Sequence, residues 1–560
     1  MEKEWVGNFT WVRHTHNLRA GVDFDQQQDN EDFEEATNCS YCAGAGGFEF
    51  SQGSTQLNGG AAGNDYNAFA SFLLGLSSNA GKVSLIPPEY HDYQNILGFY
   101  VRDQWQVNPK LTVTYGTRWD YYPFPNRGSR GMEYLDVATN RMIICGVAGN
   151  PRNCGITKDN KRFEPRAGVA YRLHDATVFR AGYALSTDPT NTGGVLGNRQ
   201  NFPDNVTSTI PTTNSFAYAT SLRSGLPPVV IPDYSSGSVP VPLTTGVFTV
   251  DNQSYVRGYI QSWNTTLEQQ VPGWLISIGY VATRFINPQS VINENWGTIG
   301  TGSAGQVLTK LTGRTATTSG IGRYGTNKYD GLQATATHAF AHNFQLVGSY
   351  SFAKGLAYAS PGAAIPAFYR LNYGNTAGVA RNTAGIALTA ASPFGANQMW
   401  LTSGLWSHVL GRWQFEAVST LRTGTPFTVT GSSTTLNASG STQFAECIGQ
   451  PVKLGGIREW YNKSSFAEPK TGTFGNCGTN TLWGPALNTL DTALSRTFPV
   501  FRESTMEFRA NMFNTPNNPH HANPTSSLTS SSFMEALGIA NSGRDGIDQR
   551  TVQLSLRLVF

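Results

Sequence analysis

The sequence predicts an all-β chain, a transmembrane antiparallel β-barrel, on three observations. Segments of about ten residues alternate apolar and polar side chains, the period of an extended strand with two unlike faces. These segments come in pairs joined by tight turns, and each pair is followed by a long stretch dense in Gly, Ser, Thr, Asn and Pro. The last ten residues, TVQLSLRLVF, carry the pattern: Val552, Leu554, Leu556, Leu558 and Phe560 fall on one side, and Gln553, Ser555 and Arg557 on the other. Chain termini usually fray, so a terminal apolar residue in register with four others points to a greasy surface that receives it.

Composition agrees. Charged residues make up 14% of the chain, where an average globular chain carries roughly 25%. Gly (60 of 560 residues) and aromatics (12%) are abundant, which favours strands and turns over helices. A chain of this length suggests several soluble domains unless one large β architecture uses it all. No run of about 18 apolar residues is present, so no membrane-spanning helix is expected. The start, MEKEWVGNFTW, has no apolar core of a signal peptide. The net charge of +3 singles out no charged partner, and no nucleic acid is expected.

Fifteen strands are expected, at 5–13, 16–26, 94–107, 111–122, 163–173, 176–186, 259–271, 274–284, 329–340, 343–354, 397–410, 412–423, 488–499, 505–514 and 551–560. In 111–122, Leu111, Val113, Tyr115, Trp119 and Tyr121 share a face against Thr112, Thr114, Arg118 and Asp120. In 163–173, Ala167, Val169, Tyr171 and Leu173 oppose Arg166, Gly168 and Arg172. In 176–186, Phe179, Ala181, Tyr183 and Leu185 oppose Arg180 and Gly182. Trp274, Ile276, Ile278 and Tyr280 stand together, as do Phe344, Leu346, Tyr350 and Phe352. Trp413, Phe415 and Leu421 oppose Gln414, Glu416 and Arg422.

Connection lengths add to this. Short turns are expected near 14–17, 108–110, 174–175, 272–273, 341–343 and 410–412, and long irregular stretches at 123–162, 187–258, 286–328, 355–396, 424–487 and 515–550. Such loops are rare in compact domains. A short–long alternation is what a membrane barrel shows when one rim is plain and the other elaborated. A sandwich or propeller would use strands of about five or six residues, and a propeller would repeat about every 40. Strands of about 9–11 residues suit a tilted membrane crossing. Trp105, Trp119, Tyr121, Tyr122, Trp263, Trp274, Trp400 and Trp413 then form interfacial girdles. The apolar faces look at lipid and the polar faces at a lumen, because in lipid every backbone polar group must be paired and a closed barrel leaves no edge. An odd strand count whose first strand enters from outside leads to the expectation that residues 1–560 are part of a larger barrel, since single-chain bacterial barrels have even counts.

Six cysteines form three local pairs, Cys39 with Cys42, Cys145 with Cys154 and Cys447 with Cys477, all outside the strand segments. Loop-pinning disulfides in an oxidising compartment are expected. Zinc binding would need a second CxxC, and the 39/42 ring is the smallest and most strained of the three.

Several stretches, in order along nearly the whole chain, resemble one family. They are THNLRAGVDFDQQQ (15–28), NAFASFLLGL (67–76), ILGFYVRDQWQVNPKLTVTYGTRWDYY (96–122), KYDGLQATATHAF (328–340), TGTPFTVTG (423–431), FNTPNNPHHANP (513–524) and the terminal QRTVQLSLRLVF. The family is that of the TonB-dependent outer-membrane receptors, in particular the Oar-like barrels. The resemblance implies a barrel of roughly 22 strands preceded by a plug, a TonB-contacting segment and often a carboxypeptidase-regulatory-like domain. None of these preceding parts, and no signal peptide, is recognised in residues 1–560. It also implies localisation in the outer membrane of a Gram-negative cell and partnership with outer-membrane lipid. TonB would engage only through the absent N-terminal region. The last strand, Val552, Leu554, Leu556, Leu558 and Phe560, resembles the signal read by the barrel assembly machinery.

Other motifs carry less. GIGRYG (320–325) fits a dinucleotide fingerprint but lacks the strand-to-helix context. Ser351 and Lys354 spell S-x-x-K without its companion motifs. His338 and His342 flank a strand turn, and His520 with His521 sit in a Pro/Asn loop where adventitious metal binding is the most that is expected. No nucleophile–base set stands out, so no enzyme activity, cofactor or metal is expected. Arg118, Asp120, Arg166, Arg172, Arg180, Glu416, Arg422, Glu507, Arg509 and Arg557 are the candidate lumen-lining groups. The expected function is an outer-membrane TonB-dependent transporter or receptor barrel passing a bulky cargo of unknown identity. The alternatives are a passive pore and a surface adhesion or assembly protein acting through its loops.

Overall fold

The computed structural model describes residues 2–31, 42, 44–85, 90–156, 162–188, 201–226, 228–250, 256–323, 325–341, 343–358, 366–396, 398–501, 504–540 and 548–560. Its main sheet is an antiparallel meander of fifteen long strands: β1 (Glu2–Arg13), β2 (His16–Glu31), β3 (Tyr90–Asn108), β4 (Leu111–Tyr121), β5 (Phe163–His174), β6 (Thr177–Thr187), β7 (Tyr259–Val271), β8 (Trp274–Ile286), β9 (Thr326–Ala341), β10 (Phe344–Tyr358), β11 (Asn382–Ala391), β12 (Trp413–Arg422), β13 (Leu487–Phe501), β14 (Ser504–Phe513) and β15 (Thr551–Val559). Each pairs with the next in the series. Among the described residues, β1 pairs only with β2 and β15 only with β14. Among the described residues, no helix is long and apolar enough to cross a membrane.

One expected strand is corrected. The described residues 398–410 of the expected strand 397–410 are not a strand: the eleventh strand is Asn382–Ala391, inside a stretch read as a long loop, and Leu405–Leu410 is a short helix. The reason is local. On its apolar face β11 carries Ala384, Ile386, Leu388 and Ala390, only two of them large, and the other face carries Gly385 and Ala387, so the alternation gives a faint signal. In 399–410 the apolar residues come as adjacent runs, Met399–Trp400–Leu401, Leu405–Trp406 and Val409–Leu410, which is not period two. Gly404 lies at φ 82° immediately before the helix. The turn expected at 410–412 is therefore a connection of residues 392–412, and Trp400 lies in it and not at a strand end.

Cross-strand register shows how the sequence sorts its side chains. One face carries Trp5–Phe24–Leu97–Tyr121 as a row across β1 to β4, and Val22–Phe99–Trp119–Phe163 as the next. At the other end the same face carries Leu554–Ala510–Leu494–Phe415–Ala390. The opposite face carries Val6–Asp23–Gly98–Asp120 and Thr10–Arg19–Arg102. A slip of one residue would invert every row, so the alternation fixes the register.

Among the described residues, no protein layer covers the apolar face of the strands. Phe9 is 61% and Leu556 67% exposed. The three buried apolar clusters, around Phe427 and Met534, around Met132 and Ile321, and around Met142 and Val239, all lie in the long connections. Aromatic pairs stand in two rows on that face. Trp105 with His16, Trp274 with His338, and Trp413 with Phe508 lie toward the short turns. Trp5 with Phe24, and Phe99 with Trp119, lie toward the long loops. Trp105 and Phe99 are six residues apart, roughly 20 Å along a strand, which suits a tilted hydrocarbon crossing.

Candidate functional site

The polar face is knitted by ion pairs. The Arg118 guanidinium meets Asp23 at 2.8 Å and Asp120 at 2.7 Å. Gly98 makes this possible, because a β-carbon there would overlap the Asp23 and Asp120 carboxylates and the Arg118 guanidinium. Gly98→Val is therefore expected to break the triad and to cost about 1–3 kcal/mol as overpacking, read as a lower urea midpoint for the folded protein in vesicles. Farther round, Arg509 holds Glu416 in a forked pair at 2.5 and 3.1 Å, and Arg180 reaches Glu268 at 3.3 Å. Arg166 stands 3.9 Å from Glu164, and Glu507 is registered opposite Arg557. Arg422 faces Thr383 and Leu487, and Arg172 faces Val178. All ten candidate lumen residues thus share one face. Their partners Asp23, Glu164 and Glu268 escaped the sequence reading.

Above the long-loop rim the connections fold into a cap. Strand 205–211 from the β6–β7 connection pairs with strand 79–85 from the β2–β3 connection. Asp204, next to the first residue of that strand pair, joins a charge cluster drawn from separate segments. Arg127 meets Asp92 at 3.2 Å, Glu133 at 2.9 Å and Asp204 at 2.7 Å; Arg130 adds contacts to Glu133 and Asp204. Arg127, Asp92, Glu133 and Asp204 are at most 2% exposed. Burial pushes the Glu133 carboxyl up to about 7; Arg127 and Arg130 offset this in part, and Asp204 adds to it. Two guanidinium groups thus face three carboxylates, one of which takes its proton near neutrality.

Other seams close the cap. Fully buried Arg314 donates to Thr318, to Asn140 of the β4–β5 connection and to the Pro242 and Thr245 carbonyls of the β6–β7 connection. The disulfides Cys145–Cys154 and Cys447–Cys477 are formed. Cys42 is disulfide-bonded, and Cys39 lies outside the described residues. The second bridge lies within the β12–β13 connection, at the cluster around Phe427 and Met534 in which that connection packs against the β14–β15 connection.

His520 locks the last loop to β13. Its Nδ1 meets Asp548 Oδ1 at 2.5 Å, its backbone N–H donates to Asp548 Oδ2, and its Nε2 donates to the Asn488 carbonyl at 2.8 Å. Both ring nitrogens are thereby occupied, which is not the arrangement of a free metal ligand. Burial pulls the imidazole pKa down, but the Asn488 carbonyl and the Asp548 and Asp491 carboxylates outweigh it and hold it above the ordinary value. A raised folded pKa stabilises fully below the unfolded value of about 6.5 and is lost as pH rises through the folded one. Cleavage by added protease in 514–540 is therefore expected to increase with pH above 6.5, and the pH dependence should vanish in His520→Gln.

The remaining motifs resolve as strand. Residues 320–323 of GIGRYG lie in strand Thr318–Arg323. Ser351 and Lys354 lie on opposite faces of β10. His338 stacks on Phe344 at 4.3 Å, and His342 is outside the described residues. Among the described residues no group of three or more metal-ligating side chains gathers.

A family model described as "Outer membrane beta barrel domain" matches residues 2–553. The chain belongs to this family. Membership places it in the cell outer membrane, with the plain rim periplasmic and the long loops extracellular. The outer membrane barrel is similar to several solved structures. The FrpB iron transporter from Neisseria meningitidis (F3-3 variant) shares 10% identity over 98% of this chain and 53% of its own, with a TM-score of 0.41. The siderophore receptor PiuA from Acinetobacter baumannii shares 9% over 99% and 55%, with a TM-score of 0.45. The ferric-catecholate import receptor Fiu from E. coli K12 shares 11% over 99% and 54%, at 0.42. The chain spans about half the length of each of these structures. No curated protein matches it.

Proposed function

We propose that this barrel belongs to a TonB-dependent transporter that takes a bulky cargo from the extracellular side. The carrying observation is a folded extracellular cap, with its own apolar cores and disulfides, set over a face of paired charges. A simple pore needs no such cap, whereas a receptor needs a shaped surface before the passage. On this reading Arg118, Asp120, Arg166, Arg172, Arg180, Glu416, Arg422, Glu507, Arg509 and Arg557 line the passage or meet a plug. Val552, Leu554, Leu556, Leu558 and Phe560 form the closing strand presented to the assembly machinery. β1 and β15 are the first and fifteenth strands of a meander and so run the same way. An antiparallel closure between them takes an odd number of added strands, which supports reading this chain as part of a larger barrel.

The test compares cells with and without the gene for uptake of labelled peptides, oligosaccharides and metal chelates. A gain confined to one class and abolished by dissipating the proton-motive force supports the proposal. Uptake that survives uncoupling indicates a passive pore. Unchanged uptake, with surface binding lost on deleting 434–481, indicates an adhesion protein.

A further inference from the structure

The connection between β11 and β12 departs from its rim. Among the described residues, the periplasmic connections at 14–15, 109–110, 175–176 and 272–273 are two residues long, whereas this one runs from 392 to 412. It exposes Met399, Trp400, Leu401, Leu405, Trp406 and Val409, with Leu405 72% and Trp406 61% exposed. Six large apolar side chains in water on a periplasmic turn need a cover.

Its attachments say where it sits. The Trp413 indole N–H donates to the Val409 carbonyl at 3.0 Å, and Arg496 donates to the Val409 carbonyl at 2.9 Å and to the His408 carbonyl. Trp413 and Arg496 are register partners on the apolar face of the sheet, continuous with Phe508. The helix Leu405–Leu410 is thus held by side chains that face lipid and not by lumen groups. Ser392 ties the base, through its hydroxyl to the Leu410 carbonyl at 2.6 Å, and Asn343 of the neighbouring turn donates to Gln398 at 2.8 Å.

Between this segment and the rim lies a cavity of 380 Å³ with Arg412, Arg496 and His408 on its wall. The Arg496 Nε is buried and has no hydrogen-bond acceptor among the described residues, and residues 392–412 contain no carboxylate. Exposed tryptophans beside cationic groups, at the level of an aromatic girdle, match the acyl–headgroup boundary of a bilayer.

We propose that residues 392–412 are a membrane foot that docks in the periplasmic leaflet, with Trp400, Leu405 and Trp406 among the acyl chains and a phospholipid phosphate at Arg412 and Arg496. The foot rests on the membrane orientation of the strands and is independent of what the barrel transports.

The test uses the full chain folded into phosphatidylethanolamine/phosphatidylglycerol vesicles whose acyl chains are brominated near the glycerol backbone. Subtracting the Trp406→Phe spectrum isolates the Trp406 emission, and Trp274→Phe does the same for a girdle residue on β8. Both components are expected to fall about twofold or more, as for tryptophans at the interface, and Trp400→Phe should report the same. Quenching of Trp274 without quenching of Trp406 or Trp400, with iodide in the buffer reaching both, would overturn the foot and leave the barrel standing. If no component is quenched, barrel and foot fall together.

Discussion

Arg127→Met is expected to loosen the extracellular cap by about 3–5 kcal/mol, the usual loss when one partner of a buried ion pair is removed, while the long strands stay assembled. The cause is what remains: Asp92, Glu133 and Asp204 would share a water-excluded space with Arg130 alone. The loss has a predicted pH dependence. In the native cap Glu133 has a folded pKa of about 7, above the ordinary value of about 4.3. Between those values the folded form binds the proton that the unfolded form has released, so the contribution of Glu133 to stability falls as pH rises and levels off above 7. Arg127 holds the Asp92 and Glu133 carboxyls down against burial, so removing it pushes these two higher still. The deficit of the variant should therefore be small at pH 5, where they can protonate, and full at pH 8. Hydrogen exchange at 126–144 and 201–206 measures it. Equal protection in both proteins at pH 8 would mean that the cluster does not hold the cap.

The second large effect separates the faces of one strand. Ile278 lies on the apolar face of β8, between Leu267 and Ala334, and Ser277 lies on the other, between Glu268 and Thr335. Ile278→Arg is expected to cost about 2–4 kcal/mol, the range for a cation on the lipid face at mid-bilayer. Ser277→Arg adds a charge to a face already rich in them and should cost well under 1 kcal/mol, as surface substitutions do. Folding equilibria in vesicles compare the two. Similar losses at both positions would contradict the division of faces.

Most of the architecture was legible because a membrane barrel writes itself locally. Two-residue turns and alternation fix which strands pair and which way each side chain points, and fourteen of the fifteen strands follow. β11 was hidden by its small residues, and the foot mimicked a strand because its apolar content is high although its spacing is wrong. The polar partners were harder. Asp23 lies in a visible strand, but its pairing with Arg118 runs across β3 over Gly98 and becomes evident only once the register is counted through three strands. A glycine flanked across the sheet by two charges is the signal that could have revealed it. The buried cluster had no such signal. Asp92 lies at the outer end of β3 and pairs there with Arg127, whereas Glu133 and Asp204 come from connections with little periodicity, and only the folding of those connections onto the end of β3 brings the four together.

The division of faces is tested most directly by spin labels placed singly at 275, 276, 277, 278 and 279 in the protein in vesicles. Collision with oxygen, which concentrates in hydrocarbon, should peak at 276 and 278, and collision with a water-soluble nickel chelate at 275, 277 and 279. Two reagents peaking at the same positions, or oxygen showing no alternation, would mean that something other than lipid covers the apolar face.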